Sequence, residues 1–205
     1  MSRIVTSLLF AGALAAPATI TAQTPAPTMR LEVASTGNEA RYRVREQLAG
    51  VDFPNDAIGV THAVTGQIVL GPDGSVQPTD SRITIDLRPL TSDKERRDGY
   101  VQRRLLETDT YPNATLALTA IRGLPSPLPT SGTFTGTLEG QLTIRGVTRP
   151  TTWTAEITAT PTGFTGTAKT SFTFDQFEMT KPRVAVVLSV EDTIALEYDF
   201  TLVRK

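Results

Sequence analysis

Apolar and polar residues alternate along two long neighbouring segments in the C-terminal half of the chain. From 133 to 145 the even positions are apolar or glycine, and the odd positions are threonine, glutamate, glutamine or arginine. From 152 to 160 the odd positions, beginning with Trp153, are apolar and the even positions are polar. A period of two is typical of strands that bury one face. The segment GQLTIRGVTRPTTW at 140–153 therefore predicts a hairpin between two long antiparallel strands.

The same period recurs along the rest of the chain. Alternating runs occupy 41–48, 60–70, 82–87, 116–118, 164–174 and 194–202, and a mostly apolar run occupies 184–190. Turn residues separate the runs, as in the Gly-Pro-Asp-Gly sequence at 71–74. Strands that recur about every ten residues with turn signals between them predict an all-β barrel or sandwich.

Residues 92–105 break the strand pattern and predict a helix. Ser92 and Glu95 fit a capping box, in which the serine hydroxyl accepts a hydrogen bond from the Glu95 amide and the glutamate side chain reaches back. The helix is expected to continue from Arg96 to Leu105.

Four short motifs resemble those of the YceI-like family. The sequence LTIRGVTRP at 142–150 is similar to the family signature, and Val64-Thr65-Gly66 opens an early strand as in the family. Arg97-Asp98 lies in the helical crossover, and Tyr111-Pro112 precedes the next strand. The resemblance runs from about Arg41 to the C-terminus. It implies a single antiparallel, lipocalin-like β-barrel with one helix at its rim.

The resemblance also implies a function, which is the binding of an isoprenoid lipid, either a polyprenyl carrier or an isoprenoid quinone, inside the barrel. Side chains of inward parity are then the candidate ligand contacts. They are Val44, Glu46, His62, Ile68, Ile85, Leu87, Leu118, Leu142, Ile144, Trp153, Phe172, Phe174, Leu196 and Phe200. On the pattern alone, the same side chains also fit a barrel that fills its own core. Four glycines of inward parity either widen the interior or mark bends in the strands; they are Gly66, Gly136, Gly140 and Gly166.

His62 and Glu46 are the candidates for chemistry. His62 has the parity of Val60 and Val64, and Glu46 has the parity of Val44, so both are expected to face the interior. Two ionisable groups in an apolar interior must be paired or hydrated. They form a structural pair, or a bulge turns Glu46 outward, or they meet a polar group of the ligand.

Cationic residues are predicted to gather at one rim. Every second connection of an up-and-down sheet lies at the same end, which groups the helix 92–105, the turn 146–148 and the loop 176–183. Their cations suit the anionic head of an amphiphile, and equally suit ordinary solvated charges. The head-group candidates are Arg96, Arg97, Arg145 and Arg149, and Lys181 and Arg183 lie at the same rim.

One loop departs from the family pattern. Where the family usually has a basic residue, and then a glycine before a methionine, this chain has Gln176 and Glu178 before Met179. The resemblance therefore does not define the conformation of residues 175–179.

The net charge and the absence of cysteine argue against several classes of partner and site. The formal net charge is −1 at pH 7, which argues against a nucleic-acid partner. The absence of cysteine excludes disulfides, a thiol nucleophile and a cysteine-based zinc site. No cofactor is needed for the binding function that the resemblance implies.

The N-terminus predicts export. Residues 1–22 fit a signal peptide, with Arg3, an apolar segment at 4–16 and small residues up to Ala22. The apolar segment is shorter than the about 20 residues of a membrane span. Residues 23–40 are then a leader and a first edge segment, and 41–205 the barrel domain. We expect a periplasmic or secreted protein without a stable membrane anchor after cleavage, and the sequence leaves a homodimer open.

The sequence is therefore compatible with three functions. The first is an exported, non-enzymatic binding protein for an isoprenoid lipid. The second is a stress-related interaction module whose barrel core is solid. The third is an enzyme on an isoprenoid substrate, with His62 and Glu46 as acid and base.

Overall fold

The computed structural model describes residues 28–125 and 127–205. The predicted signal peptide at 1–22 and most of the leader lie outside these residues. The strands are β1 (Met29–Val33), β2 (Glu39–Leu48), β3 (Asn55–Thr61), β4 (Val64–Leu70), β5 (Arg82–Asp86), β6 (Thr91–Ser92), β7 (Asn113–Arg122), β8 (Gly132–Ile144), β9 (Val147–Thr160), β10 (Gly163–Thr173) and β11 (Val187–Arg204). A short helix α1 (Glu95–Tyr100) runs directly into a π-helical turn (Val101–Leu105), and a 3-10 helix (Phe174–Phe177) follows β10.

Eight of these strands close into an antiparallel barrel. Their order around the ring is β1, β4, β5, β7, β8, β9, β10 and β11, and β11 pairs back to β1. Leu31 of β1 lies opposite Ile68 on one side and Arg204 on the other. β1 is therefore hydrogen-bonded along both sides, so the expectation of an edge segment before Arg41 is wrong. The predicted single all-β, lipocalin-like barrel with a helix at its rim is confirmed.

Three strands extend the wall of this barrel at one end. β11 pairs with β1 through residues 202–204 and with β2 through residues 187–199. β2 pairs with β3, and β3 pairs with the short β6 that leads into α1. β2 and β3 therefore lie outside the closed ring and lengthen the wall at this end.

The predicted hairpin at 140–153 is the β8–β9 connection. Ile144 pairs with Val147, and Arg145 and Gly146 form the turn between them with φ of +51° and +76°. Two consecutive residues with positive φ give a type I′ turn, whose twist matches that of the flanking strands.

The alternation changes phase at His62. The buried positions of β3 are Ala57, Gly59 and Thr61, which are odd, whereas those of β4 include Val64 and Ile68, which are even. The two-residue connection between the strands causes this shift, and the His62 side chain is 72% exposed. The prediction that His62 faces the interior is wrong because residues 60–70 are two strands rather than one.

The helix begins later than predicted. Ser92 belongs to β6, where it pairs with Gly59, and both its amide and its hydroxyl donate to Asp98 Oδ1, at 2.8 and 2.6 Å. The N-cap is Lys94, which makes no side-chain capping bond. The predicted capping box is wrong because strand pairing and Asp98 engage Ser92 instead.

The four glycines of inward parity do not widen the interior. A Cβ atom on any of them would meet a backbone carbonyl oxygen of a neighbouring strand, at 2.0 Å for Gly166 and 2.1 Å for Gly66. They mark places where neighbouring strands approach closely, which differs from both expectations, a wider interior and bends in the strands.

Candidate functional site

The barrel encloses a cavity of about 570 Å³. This volume lies within the about 300–1,000 Å³ that is typical of small-molecule sites. Every strand of the closed ring contributes to the lining, which is mostly aliphatic and aromatic. The inward side chains therefore do not fill the core among themselves, and the interpretation of a solid barrel loses its support.

Most of the predicted ligand contacts line this cavity. They are Val44, Glu46, Ile68, Ile85, Leu87, Leu118, Ile144, Trp153, Phe172, Phe174, Leu196 and Phe200. Leu142 is only 2% exposed, but it packs within the core and is not part of the lining. His62 is not part of the lining either, because of the change of phase described above.

A second set of lining residues was missed by the sequence reasoning. These residues come from the helical segment and the connections, and they are Leu90, Tyr100, Val101, Leu105, Leu106, Leu124, Leu128, Met179 and Pro182. Val101 and Leu105 are four residues apart, so helical spacing was a usable signal for this pair. The connections have no period, and no sequence signal points to their members.

One end of the cavity is closed. There the lining is formed by Leu31, Leu70, Phe164 and Leu202, whose exposed fractions are 3%, 0%, 4% and 7%. Leu124 and Leu128, from the connection between β7 and β8, also pack against the core. Among the described residues, these side chains have little exposure to solvent at this end.

The other end of the cavity is open, and we call it the mouth. Its lining includes Val184 and Val186, which are 37% and 63% exposed, together with Lys94 and Arg96 of the helical segment. The mouth lies between the wall formed by β2, β3 and the start of β11 on one side and α1 on the other. Cationic side chains thus stand next to an apolar tube at its entrance.

A buried ion pair ties α1 to the wall across the mouth. Glu46 of β2 is 7% exposed and lines the cavity, as predicted, and its Oε1 lies 2.5 Å from Nη2 of Arg97. Arg97 also pairs with Asp93. Burial disfavours the charged guanidinium, but hydrogen bonds to Asp93 and Glu46 outweigh this, so the pKa of Arg97 is raised. Arg97, a head-group candidate, is thus engaged within the protein, and Glu46 pairs with it rather than with His62.

Two tyrosines are partly buried in the wall formed by β2 and β11. Burial raises the pKa of Tyr42 to about 12, and Arg97 opposes this shift only in part. Burial also raises the pKa of Tyr198, whose hydroxyl donates to Asn38 Oδ1 at 2.8 Å. Both phenols line the cavity in their neutral form. Tyr198 already donates its proton to Asn38, so it can only accept a hydrogen bond from a ligand, whereas Tyr42 can donate one.

The three connections predicted to share a rim do lie together. Arg145 of the β8–β9 turn pairs with Glu107 after the helix at 2.7 Å and donates to the backbone carbonyl of Glu178. Arg149 pairs with Glu178 at 3.0 Å. Neither Arg145 nor Arg149 lines the cavity, since these acidic partners hold them at the outer surface. Of the head-group candidates, Arg96 and Arg97 line the cavity, and among the described residues Arg96 forms no ion pair.

The loop that departs from the family pattern forms the 3-10 helix. It ends at Glu178, whose φ of +55° lies in the left-handed region that favours glycine. The next residue, Met179, is 6% exposed and lines the cavity. The loop therefore contributes an apolar side chain to the site in spite of the missing glycine.

The residues proposed for catalysis are separated. His62 lies on the outside, with Nδ1 3.2 Å from the carbonyl oxygen of Asn38 and Nε2 3.9 Å from Glu39. Within residues 28–125 and 127–205, no group of three or more His, Cys, Asp or Glu side chains is arranged to hold a metal ion. In the same part of the chain, no helix is long and apolar enough to cross a membrane.

Comparison with known proteins identifies relatives of this barrel. The model of the YceI-like domain family matches residues 28–202. A polyisoprenoid-binding domain from Saccharophagus degradans, implicated in plant cell wall breakdown, has a similar structure, with a TM-score of 0.67 and 12% identity, over 85% of this chain and 98% of that one. No curated protein sequence matches the chain.

Two further solved structures have the same fold. BcnA of Burkholderia cenocepacia gives a TM-score of 0.58 at 15% identity, over 82% of this chain and 98% of that one. The YceI protein of Campylobacter jejuni gives 0.57 at 17% identity, over 78% of this chain and 90% of that one. At these identities the likeness concerns the fold alone.

Proposed function

Since this chain belongs to the YceI-like domain family, we propose that it binds an amphiphilic isoprenoid lipid, a polyprenyl carrier or an isoprenoid quinone, in the barrel cavity. The main support for this proposal is an apolar cavity of about 570 Å³, which is lined by buried side chains at one end and opens at the mouth. A tube of this kind suits a ligand with a long apolar chain and one polar end. A similar structure is that of a polyisoprenoid-binding domain.

The driving force is the burial of the prenyl chain. Each methylene removed from water contributes about 0.8 kcal/mol. Association costs about 4–15 kcal/mol in lost motion, so a few isoprene units offset it. The chain enters first, towards Leu70 and Phe164, and the polar end stays at the mouth.

Arg96 is the cation that we propose meets an anionic head group. It lines the cavity at the mouth, and within the described residues it has no acidic partner. A phosphate oxygen can accept charge-assisted hydrogen bonds from its guanidinium. Arg97 supports the site differently, because its bond to Glu46 fixes the position of α1 beside the mouth.

We propose binding without catalysis. The acid–base pair that an enzyme would use requires His62, which lies outside the cavity, while Glu46 is held by Arg97. The site offers apolar surface, two neutral phenols and cations at its entrance. These groups are suited to holding a lipid rather than to transferring protons.

We also propose that the protein is exported and acts in the periplasm or outside the cell. The support is the predicted signal peptide at 1–22. Intact-mass measurement of the protein from a fractionated native host tests this. We expect a chain that begins at Gln23 in the periplasmic or culture fraction, and an uncleaved chain in the cytoplasmic fraction would contradict export.

Filling the cavity tests the binding function. Ala168 is 2% exposed and lines the cavity, whereas the next residue, Lys169, is exposed on the opposite face of β10. Ala168→Phe is expected to weaken binding of a prenyl quinone at least about tenfold, the equivalent of about 1.4 kcal/mol. Lys169→Phe is the matched control and should bind like the wild type.

The only tryptophan, Trp153, reports on this binding. It is 5% exposed and lines the cavity, so ligand entry should change its fluorescence. Circular dichroism shows whether each variant is folded. If added prenyl quinone and prenyl diphosphate both leave the wild-type fluorescence unchanged, and equilibrium dialysis finds no binding, the proposed function is wrong.

A further inference from the structure

All exposed large hydrophobic side chains of the described residues lie in two connections. Val51 and Phe53 belong to residues 49–54 between β2 and β3, and Val184, Val186 and Leu188 lie at and just before the start of β11. Phe53 is 79% exposed and Leu188 is 67% exposed. We call these five side chains the apolar tip.

The two halves of the apolar tip are adjacent. The amide of Ala49 donates to the carbonyl oxygen of Val186 at 2.9 Å, and Leu48 pairs with Val187. Leu188 is the extra residue of a register shift in β11, where no residue of β2 lies opposite it. A bulge of this kind turns a side chain away from the regular sheet. The tip is therefore one patch rather than two separate ones.

The apolar tip is continuous with the cavity. Val184 and Val186 belong both to the tip and to the lining of the mouth. From there Leu48 and Val190 continue the lining inward. An apolar surface thus leads without interruption from solvent into the barrel.

We propose that the apolar tip inserts into the surface of a phospholipid bilayer and brings the mouth against the membrane. This inference rests on the proposed function, because a prenyl chain that moved between the bilayer and the cavity along this surface would not cross water. Exposed, contiguous apolar patches mark interaction sites. The bilayer also matches the size of the tip, since a stable protein interface engages about 20–30 residues per side and the tip has five.

The charges around the apolar tip and the adjoining mouth are balanced. The cations are Lys181, Arg183, Lys94 and Arg96, and the anions are Asp52, Asp93, Glu191 and Asp192. Lys181 Nζ lies 4.0 Å from Asp192 Oδ1. Apolar insertion rather than attraction to anionic lipid is therefore the driving force, so the wild type should bind vesicles of phosphatidylcholine alone. Adding an equal part of phosphatidylglycerol should change binding by less than about threefold.

Vesicle flotation tests this proposal. Phe53→Ser is expected to lower partitioning into phosphatidylcholine vesicles by about tenfold or more, because it removes the burial of one aromatic side chain. Phe53→Leu is the conservative control, which leaves Trp153 as the single fluorescent reporter, and it should retain most of the partitioning. The same variants are titrated with a prenyl quinone in detergent-free solution, where Trp153 reports on the cavity and both should behave like the wild type.

Each outcome decides the proposal. If wild-type protein binds the soluble quinone but does not float with vesicles, membrane docking is wrong and the binding function stands. If Phe53→Ser floats as well as the wild type, another surface makes the contact. If the wild type forms dimers that Phe53→Ser dissociates, and does not float, the tip serves a second copy of the chain instead. If neither a prenyl quinone nor a prenyl diphosphate binds, the proposed function itself fails.

Discussion

The two ends of the cavity are built from strands with the same alternating pattern, yet one end is packed and the other is open. At the closed end, large aliphatic side chains such as Leu31 and Leu70 converge within the ring. At the mouth, β2 and β3 stand outside the ring, and a charged helical segment lies opposite them. The difference shows that the strand pattern sets the wall of the barrel, whereas the connections decide where it is hollow and accessible.

The largest expected effect concerns the packing of the closed end. Leu70→Ala removes a fully buried side chain and should lower the free energy of unfolding by about 4 kcal/mol. Leu48→Ala, at the half-buried edge of the mouth, should lower the free energy of unfolding by less than about 1.5 kcal/mol. The reason is that the Leu48 side chain buries less apolar surface on folding than Leu70 does. Urea unfolding followed by circular dichroism measures both. Equal losses would mean that the mouth is packed as tightly as the closed end.

The ion pair across the mouth should give the next largest effect. Arg97→Leu leaves the buried Glu46 without its partner, and we expect a loss of about 3 kcal/mol in the free energy of unfolding. The double variant Glu46→Leu/Arg97→Leu should recover most of this loss, because no charge remains uncompensated. If Arg97→Leu is as stable as the wild type, Glu46 is hydrated through the mouth and the pair does not hold α1.

Tyr42, in the wall of the mouth, should make the free energy of unfolding vary with pH in the alkaline range. Its pKa is raised from 10.0 to about 12, so below pH 10 the phenol is neutral in both the folded and the unfolded state. As the pH rises through this interval, the unfolded state ionises first, and the free energy of unfolding should fall by about 2 kcal/mol through this group. Tyr42→Phe should remove that part of the loss. Unfolding by urea at successive pH values measures it, and an identical pH dependence in the variant would contradict the burial of this phenol.

The smallest expected effect comes from comparing a cation that lines the cavity with one at the outer surface of the same rim. Arg96→Gln should weaken binding of a prenyl diphosphate by about threefold to fivefold, or up to about 1 kcal/mol, and leave a prenyl quinone unaffected. Arg149→Gln, whose cation is held by Glu178 at the outer surface, is the control and should bind both ligands like the wild type. If Arg96→Gln lost the same affinity for both ligands, Arg96 would not be the residue that binds the head group.

The closed ring was predictable because its strands carry an unambiguous period. Residues 133–145 and 152–160 alternate throughout, and the turn at Arg145 and Gly146 follows from the fixed geometry of a two-residue hairpin connection. The lining of the closed ring followed from the same parity. This explains why Trp153, Phe172 and Phe200 were placed correctly in the cavity.

The mouth was less predictable because its chemistry depends on contacts between distant segments. Val60, His62 and Val64 share a parity, so the sequence does not reveal the two-residue connection that reverses the alternation. The partner of Glu46 is Arg97, which lies 51 residues away in a helical segment. Charges such as Arg145 and Arg149 were placed at the correct end, but parity and connectivity do not specify which acidic residues bind them.

Extraction of the protein with organic solvent tests the central claim most directly. The chain is produced in a native-like host, purified without detergent, extracted and analysed by mass spectrometry, with Ala168→Phe prepared in parallel. We expect a prenyl lipid in a stoichiometric amount from the wild type and much less from the variant. The central claim would be contradicted if the wild-type extract contained no prenyl lipid and neither prenyl quinone nor prenyl diphosphate changed the fluorescence of Trp153.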